Sequence, residues 1–180
     1  MDDDLIIRIR NCIRTVPDFP IEGIQFRDIT PILADPELLP SIADRLARDL
    51  RELEWEPDIV IGPEARGFIF GPMLAERLKI GFIPVRKPGK LPSSTVRAEY
   101  SLEYGSNVLE MHDDAIQKGQ KAVIVDDLLA TGGTISACVE LCESLGASVV
   151  WAAFLVELIG LGARDAIAPV PTLALVSYPA

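Results

Sequence analysis

Residues 123–134 read VIVDDLLATGGT, and a helical pattern from Ile135 to Leu145 follows at once. The apolar run before the acidic pair is continuous rather than alternating, which is typical of a strand buried on both faces. Short β-branched runs and helical patterns alternate on either side of this unit. The predicted strands are 59–61, 82–85, 108–111, 122–125, 149–155 and 173–176, and the predicted helices are 68–78, 135–145 and about 163–167. This order predicts an α/β fold with a doubly wound, mostly parallel sheet flanked by helices.

The first 34 residues precede this alternation. Three acidic residues are followed by apolar residues at helical spacing from Leu5 to Val16, which predicts a first amphipathic helix ending before Pro17. The proline- and glycine-containing segment 17–31 predicts irregular structure with a short strand at 24–28. Asp35-Pro36-Glu37 is typical of a second helix start. Because domains usually hold about 100–200 residues, we expect a single domain over residues 1–180.

Composition excludes several classes of function. The chain has 180 residues, with 17 Lys and Arg against 27 Asp and Glu, for a net charge of −10. This sign argues against binding to a long nucleic acid, and one histidine leaves no paired-histidine zinc site. The three cysteines form no CxxC pattern, and the first residues are acidic where a targeting signal would be basic. The longest apolar run is much shorter than the about 20 residues that a membrane span needs. We therefore expect a cytoplasmic protein with no membrane or nucleic-acid partner. Residues 62–97 are basic, with 7 Lys and Arg against 2 Asp and Glu, so a small anion could bind there.

The loop after the strand at 122–125 combines two kinds of chemistry. Asp126 and Asp127 supply carboxylates, which bind hydroxyls or a magnesium ion through water. The turn Thr131-Gly132-Gly133-Thr134 permits close approach of the backbone, so that amide groups and hydroxyls can converge on a phosphate at the start of a helix. In open α/β sheets, ligands bind beyond the carboxyl ends of the strands. We therefore expect a ligand with both sugar hydroxyls and a phosphate at this loop.

The strand, acidic pair and Thr-Gly-Gly-Thr turn resemble the signature of the type I phosphoribosyltransferase family, which binds 5-phosphoribosyl 1-pyrophosphate. Four further blocks resemble family members that act on adenine, and they occur in order: FRDI at 26–29, GPEARGF at 62–68, RKPGKLP at 86–92 and YSLEYG at 100–105. The resemblance implies a small N-terminal hood over about residues 1–34 and a flexible loop over about 86–98. It also implies transfer of the phosphoribosyl group to adenine in purine salvage, giving AMP and pyrophosphate, with Mg²⁺ as cofactor and a homodimer as the active form.

The resemblance assigns the phosphoribosyl pyrophosphate to three groups of residues. Asp126 and Asp127 would contact the ribose hydroxyls and Mg²⁺, directly or through water. The 5′-phosphate would be bound by Ala130, Thr131, Gly132, Gly133 and Thr134. The pyrophosphate would be bound by Glu64, Ala65, Arg66, Arg86, Lys87 and Lys90. The Glu64–Ala65 peptide would be cis, and Arg86 matches a family residue that can reach the pyrophosphate of the partner subunit.

Glu103 is the candidate general acid, because attack by adenine requires a proton at one ring nitrogen and a carboxyl group with a raised pKa can transfer it. The adenine site would comprise Gln25, Phe26, Arg27 and Leu128. In it Phe26 and Leu128 would enclose the ring, and the backbone of Arg27 would contact its edge. Position 25 is usually a small apolar residue in the family, so Gln25 leaves the fine selectivity for the base open. One alternative keeps the reaction but changes the base to hypoxanthine, guanine or xanthine. A further alternative is a non-catalytic regulator that binds phosphoribosyl pyrophosphate.

Overall fold

The computed structural model describes residues 2–53, 56–101 and 106–180. Its N-terminal elements are α1 (Asp2–Cys12), β1 (Arg14–Pro17), β2 (Gln25–Asp28), α2 (Thr30–Ala34) and α3 (Leu38–Glu52). The central elements are β3 (Ile59–Pro63), α4 (Gly67–Leu78), β4 (Gly81–Val85), β5 (Thr95–Ser101) and β6 (Ser106–His112). The C-terminal elements are β7 (Lys121–Leu129), α5 (Gly133–Ser144), β8 (Ser148–Ile159), α6 (Ala163–Ala166) and β9 (Thr172–Pro179).

Five of these strands form a parallel sheet in the order β4-β3-β7-β8-β9. The chain passes from β3 through α4 to β4 on one side, and β7 then pairs with the other side of β3. The direction of winding therefore reverses between β3 and β7, and the loops at the carboxyl ends of these two strands diverge. Such a reversal opens a crevice at the edge of the sheet, where ligands of doubly wound folds bind.

Both faces of the sheet are covered, which explains the continuous apolar runs of its strands. Val60, Val123 and Val125 belong to one buried cluster, with residues of α1, α3 and α4. Their neighbours Ile61 and Ile124 belong to a second cluster on the opposite face, with residues of α5, α6, β5 and β6. None of the helices within the described ranges is long and apolar enough to span a membrane.

Residues 2–34, which were predicted to form the hood, share the first of these clusters through Ile9 and Ile32, both fully buried. The predicted first helix was too long: α1 ends at Cys12, and Val16 instead pairs with Phe26 in the antiparallel β1–β2 hairpin. An ion pair between Arg14 and Asp28 links the two strands. The apolar spacing continued past the true end of the helix, because Val16 of β1 is also half-buried.

The segment from 95 to 112 differs from the prediction in two ways. The strand predicted at 108–111 is not in the parallel sheet: it lies in β6, which pairs with β5 as a separate antiparallel hairpin. Residues from Thr95 onward, predicted within the flexible loop 86–98, are paired strand residues of β5. The hairpin is joined to the end of β4 by a bridge between Arg86 and Glu110. A hairpin strand and a sheet strand carry similar apolar runs, so the pairing partner could not be read from composition.

Candidate active site

The crevice between β3 and β7 contains a cavity of about 300 Å³. Pairing between the two strands stops at Ile61 and Ile124, whereas β7 continues along β8 as far as Leu129. The last residues of β7 therefore have an unpaired edge that faces the cavity. The lining consists of residues 64–66 from the loop after β3 and residues 126–135 from β7, the following turn and the start of α5.

Two adjacent carboxylates lie at the end of β7. Asp127 is 4% exposed, and its backbone amide donates a hydrogen bond of 2.9 Å to Oδ1 of Asp126. Loss of water around the carboxyl group, followed by the charge of Asp127, raises the pKa of Asp126 well above its usual range. Two negative charges this close repel each other, so binding of a proton or a cation at Asp126 is favourable.

The turn after β7 leads directly into α5. Gly132 has a φ of 88° and is the residue before the helix, and its carbonyl accepts a hydrogen bond of 2.8 Å from the amide of Ser136. A Cβ at Gly132 would lie 2.9 Å from the carbonyl oxygen of Ala163, so both the backbone angle and the packing against α6 require glycine. The positive end of α5 and the amides of its first turn face the cavity, which suits an anion.

Arg66 connects the two loops of the cavity. The Glu64–Ala65 peptide after β3 is cis, as the resemblance implied, and Arg66 immediately precedes α4. Nε of Arg66 donates a hydrogen bond to Oδ2 of Asp127. Close packing behind this loop is possible because Gly67 has no side chain, since a Cβ there would lie 3.0 Å from the carbonyl oxygen of Val125.

Arg86 reaches the same region from the end of β4. Its Nε donates a hydrogen bond of 2.8 Å to Glu64, and its guanidinium carbon lies 5.8 Å from the centre of the Phe68 ring. Its Nη1 also donates to the carbonyl oxygen of Lys90, at 3.2 Å. Each of the two arginines predicted to bind pyrophosphate is therefore paired with a carboxylate of the site.

The structure brings together most, but not all, of the residues predicted for the site. The cavity lining includes Glu64, Ala65, Arg66, Asp126, Asp127, Leu128, Ala130, Thr131, Gly132, Gly133 and Thr134. Residues predicted for the site but absent from that lining are Gln25, Phe26, Arg27, Arg86, Lys87 and Lys90. Glu103 lies outside the described residues.

The predicted adenine residues of the hood lie on β2. Gln25 is exposed and Phe26 is half-buried, with its ring edge-to-face against Phe19 at 5.0 Å between ring centres. The guanidinium of Arg27 lies over the ring of Tyr178, 4.3 Å from its centre, and Nη1 donates to the hydroxyl of Thr15. The side chain of Arg27 therefore links β2 to β9, the last strand of the sheet, and it does not line the cavity.

Two residues near the site had no predicted role. The hydroxyls of Thr134 and Tyr100 are 3.3 Å apart and hydrogen-bonded, which connects the phosphate turn to β5. Phe68 lies beneath Arg86, as described above. Tyr100 and Phe68 each lie in a block that resembles the family, which was a usable signal, but their contacts depend on segments that only the fold brings together.

Comparison with known proteins gives one consistent result. A family model described as the phosphoribosyl transferase domain matches residues 30–167. A protein of Francisella tularensis subsp. novicida (strain U112) named adenine phosphoribosyltransferase is 51% identical over 170 residues, covering 94% of this chain and 97% of that protein.

Solved structures agree with the sequence comparison. The crystal structure of adenine phosphoribosyltransferase from Thermoanaerobacter pseudethanolicus superposes with a TM-score of 0.93 at 48% identity, covering 96% of this chain and 99% of that one. The Saccharomyces cerevisiae enzyme, solved with adenine and an imino-altritol bisphosphate, superposes with a TM-score of 0.92 at 39% identity, with the same coverage of 96% and 99%. These likenesses extend over nearly the whole chain, and the range matched by the family model contains both loops of the cavity.

Proposed function

This chain belongs to the phosphoribosyltransferase family, and from that membership we propose that it transfers the phosphoribosyl group of 5-phosphoribosyl 1-pyrophosphate to adenine, forming AMP and releasing pyrophosphate. The observation that carries the proposal is the cavity between β3 and β7, where an acidic pair, a phosphate-binding turn and Arg66 line one space. The yeast relative, which was solved with adenine and a bisphosphate, supports the choice of ligands.

The 5′-phosphate binds at the turn formed by residues 130–134. The amides before and within the first turn of α5 have no partners inside the helix, and the helix dipole favours negative charge there. The hydroxyls of Thr131 and Thr134 add donors, and Gly132 and Gly133 leave room for the phosphate to approach the backbone. These groups act by holding the sugar in one position, which converts the reaction of two separate molecules into a reaction at one site.

Asp126 and Asp127 hold the ribose hydroxyls and take part in holding Mg²⁺. Within the described ranges no cluster of three or more acidic, histidine or cysteine side chains could form a complete metal cage. The acidic pair nevertheless fits Mg²⁺, which is commonly held by one or two carboxylates together with water and substrate phosphates. Burial and the neighbouring charge of Asp127 raise the pKa of Asp126, so a cation bound beside the pair would offset the cost of charging it. When bound, Mg²⁺ would neutralise charge on the departing pyrophosphate.

Arg66, with the loop at Glu64 and Ala65, and the cations Arg86, Lys87 and Lys90 bind the pyrophosphate. Arginine presents a planar set of donors that matches phosphate oxygens. Arg66 forms an ion pair with Asp127, and Arg86 forms one with Glu64. When pyrophosphate binds, its oxygens replace the carboxylates of Asp127 and Glu64 as partners of the two arginines. Each guanidinium is therefore held near the site by an ion pair before the substrate arrives.

Adenine binds between the hood and the cavity, with Phe26 and Leu128 on its two faces, the backbone of Arg27 at its edge and Gln25 beside it. Leu128 is half-buried in the cavity lining, and β2 is fixed to β9 through Arg27 and Tyr178. Aromatic and aliphatic faces accept any purine, so selectivity depends on hydrogen bonds at the edge of the base.

The active form is a homodimer in the cytoplasm. The family places the residue matching Arg86 where it can reach the pyrophosphate of the partner subunit. All three cysteines are free, two of them buried, which suits a reducing compartment.

The reaction is tested directly with the purified chain, adenine, 5-phosphoribosyl 1-pyrophosphate and Mg²⁺. We expect AMP and pyrophosphate in equal amounts, with kcat/KM for hypoxanthine, guanine and xanthine at least about a hundredfold lower. Excess EDTA should stop the reaction, and added Mg²⁺ should restore it. A chain that makes no nucleotide from any base contradicts the proposal, and a preference for another purine contradicts its choice of base.

Glu103 is proposed as the general acid that supplies a proton to the ring nitrogen of adenine. Replacement by Gln keeps the size of the side chain but removes the transferable proton, so Glu103→Gln should lower kcat by about 10²–10⁴-fold while KM changes little. The matched control is Glu99→Gln, an exposed residue of β5, which should retain normal turnover. Full turnover in Glu103→Gln removes this residue from the mechanism and leaves the reaction itself standing.

A further inference from the structure

Glu110 is a buried acidic residue for which the proposed reaction has no role. It lies on β6 and is only 2% exposed. Its cross-strand neighbour on β5 is Arg97, whose Nε lies 2.7 Å from Oε1 of Glu110. Arg97 is itself 69% exposed, so this ion pair alone gives little reason to bury a carboxylate.

The second carboxylate oxygen of Glu110 faces the basic loop. The backbone amide of Gly89 donates a hydrogen bond of 3.0 Å to Oε2. Gly89 has a φ of 74°, so the chain turns sharply at this point. A buried, charged acceptor makes a strong hydrogen bond to an amide.

The backbone of Glu110 holds the same loop at a second point. Its carbonyl accepts a hydrogen bond of 2.9 Å from the amide of Arg86, and its own amide donates one of 2.7 Å to the carbonyl of Arg86. Residues 86 and 89 are thus both attached to one residue of β6. Lys87 follows Arg86 and Lys90 follows Gly89, and both lysines are exposed.

We propose that Glu110 is a positioning residue, which fixes residues 86–90 in the conformation that presents Arg86, Lys87 and Lys90 to the pyrophosphate. The inference rests on the proposed function, since it concerns the same substrate. Glu110 acts through the backbone of the loop and does not itself contact substrate. The carboxylate holds the turn at Gly89, while the backbone bridge and the ion pair between Arg86 and Glu64 hold the start of the loop.

The test compares Glu110→Met with Glu110→Gln. Met fills the same buried space without a strong acceptor. Because the partner Arg97 is exposed, its charge is not left buried and unpaired, so we expect Glu110→Met to fold with a Tm close to that of wild type. Gln keeps an oxygen that can accept from Gly89 and should retain most of the wild-type behaviour. Glu99→Met, at an exposed position of β5, is the matched control.

We expect Glu110→Met to raise KM for 5-phosphoribosyl 1-pyrophosphate by about tenfold, the usual effect of losing one hydrogen bond to a charged group. KM for adenine should stay unchanged and kcat should change by less than about threefold, because the loop cations contact the pyrophosphate before and during its departure. Hydrogen exchange at the amide of Gly89, measured without substrate, should become faster in Glu110→Met and stay slow in Glu110→Gln.

Each outcome decides between roles for Glu110. Faster exchange at Gly89 with an unchanged KM shows that the loop is held but that its position does not matter, which overturns the inference. A raised KM with unchanged exchange overturns the role of the Gly89 contact. A wild-type chain that makes no AMP contradicts the proposed function, whereas an active wild type with an unaffected Glu110→Met variant contradicts only this inference.

Discussion

Gly132→Ala is expected to lower kcat/KM for 5-phosphoribosyl 1-pyrophosphate by about a hundredfold or more, since small displacements of a positioning group cost that much. The φ of Gly132 is 88°, and an L-residue in this region costs about 1–2 kcal/mol. The new Cβ would also lie 2.9 Å from the carbonyl oxygen of Ala163 in α6. Relief of both strains requires the backbone of residues 131–134 to move away from α6.

The backbone of α6 is poorly able to move instead. Arg164 in α6 donates two hydrogen bonds of 2.7 Å to Glu157 of β8, and a third of 3.3 Å to the carbonyl of Thr172. These hydrogen bonds hold α6 against the turn at residues 131–134. The turn therefore moves instead of α6, and its contacts with the 5′-phosphate are lost or lengthened. Thermal unfolding should show a loss of about 2–4 kcal/mol, as expected for combined backbone strain and overpacking.

Gly160→Ala is the matched control for Gly132→Ala. Gly160 has a φ of 103°, but a Cβ there would have no atom within 4 Å. Gly160→Ala has the unfavourable positive φ but no steric clash of the new Cβ, so it should lose some stability and keep its activity. Steady-state kinetics of both variants separate the two effects, and a Gly132→Ala chain with the wild-type KM would show that the turn does not hold the phosphate.

Asp126→Asn is expected to lower activity by about 10²–10³-fold, the usual effect of removing one electrostatic contact to the reacting group, and to raise Tm by a few degrees at pH 8. The side-chain oxygen of Asn can still accept the hydrogen bond from the amide of Asp127, so the local geometry is kept. The negative charge is lost, and with it the attraction for Mg²⁺ and for ribose hydroxyls. The gain in stability arises because the folded chain holds this charge away from water and beside Asp127.

The stability difference should depend on pH in a defined direction. Burial raises the pKa of Asp126 in the folded chain, so the folded state binds a proton more tightly than the unfolded state. Below the unfolded value of about 4, Asp126 is protonated in both states, and the two chains should have similar stability. As pH rises towards and through the folded pKa, wild type loses stability, whereas Asn at this position does not titrate.

Thermal melts of wild type and Asp126→Asn from pH 4 to pH 8 measure this difference, with Asp113→Asn as an exposed control. A variant that is less stable than wild type at pH 8, or that keeps full activity, would contradict the role assigned to Asp126. An enhanced stability together with lost activity is typical of a residue kept for binding rather than for folding.

Much of the fold followed from patterns of neighbouring residues. The continuous apolar runs at 59–61 and 122–125 predicted strands buried on both faces, and the doubly wound α/β fold is confirmed. The family predicted from the strand, acidic pair and glycine turn is confirmed as well. Such predictions succeed because strand burial and turn geometry depend on a few consecutive side chains.

Other features depended on partners far away in sequence. Val16 fits the helical spacing of the preceding residues, but it pairs with Phe26 and belongs to a strand. The run at 108–111 looks like a strand of the main sheet and is part of a hairpin. In both cases the local pattern indicates that a residue is buried, but the strand with which it pairs depends on the rest of the molecule. The site residues assigned by resemblance stay predictions until the variants are measured.

Patterns of neighbouring residues were enough to predict the alternation of strands and helices and to place Asp126, Asp127 and the glycine turn near the carboxyl end of one strand. The contacts of Arg66 with Asp127, across the reversal between β3 and β7, and of Arg86 with Glu64 were visible only in the folded chain. The same is true of the hydrogen bond between Glu110 and Gly89 and of the packing of α6 against Gly132, which leaves no room for a side chain. The reason is physical: backbone conformation depends mainly on neighbouring residues, whereas ion pairs and close packing depend on distances that exist only after the sheet has formed.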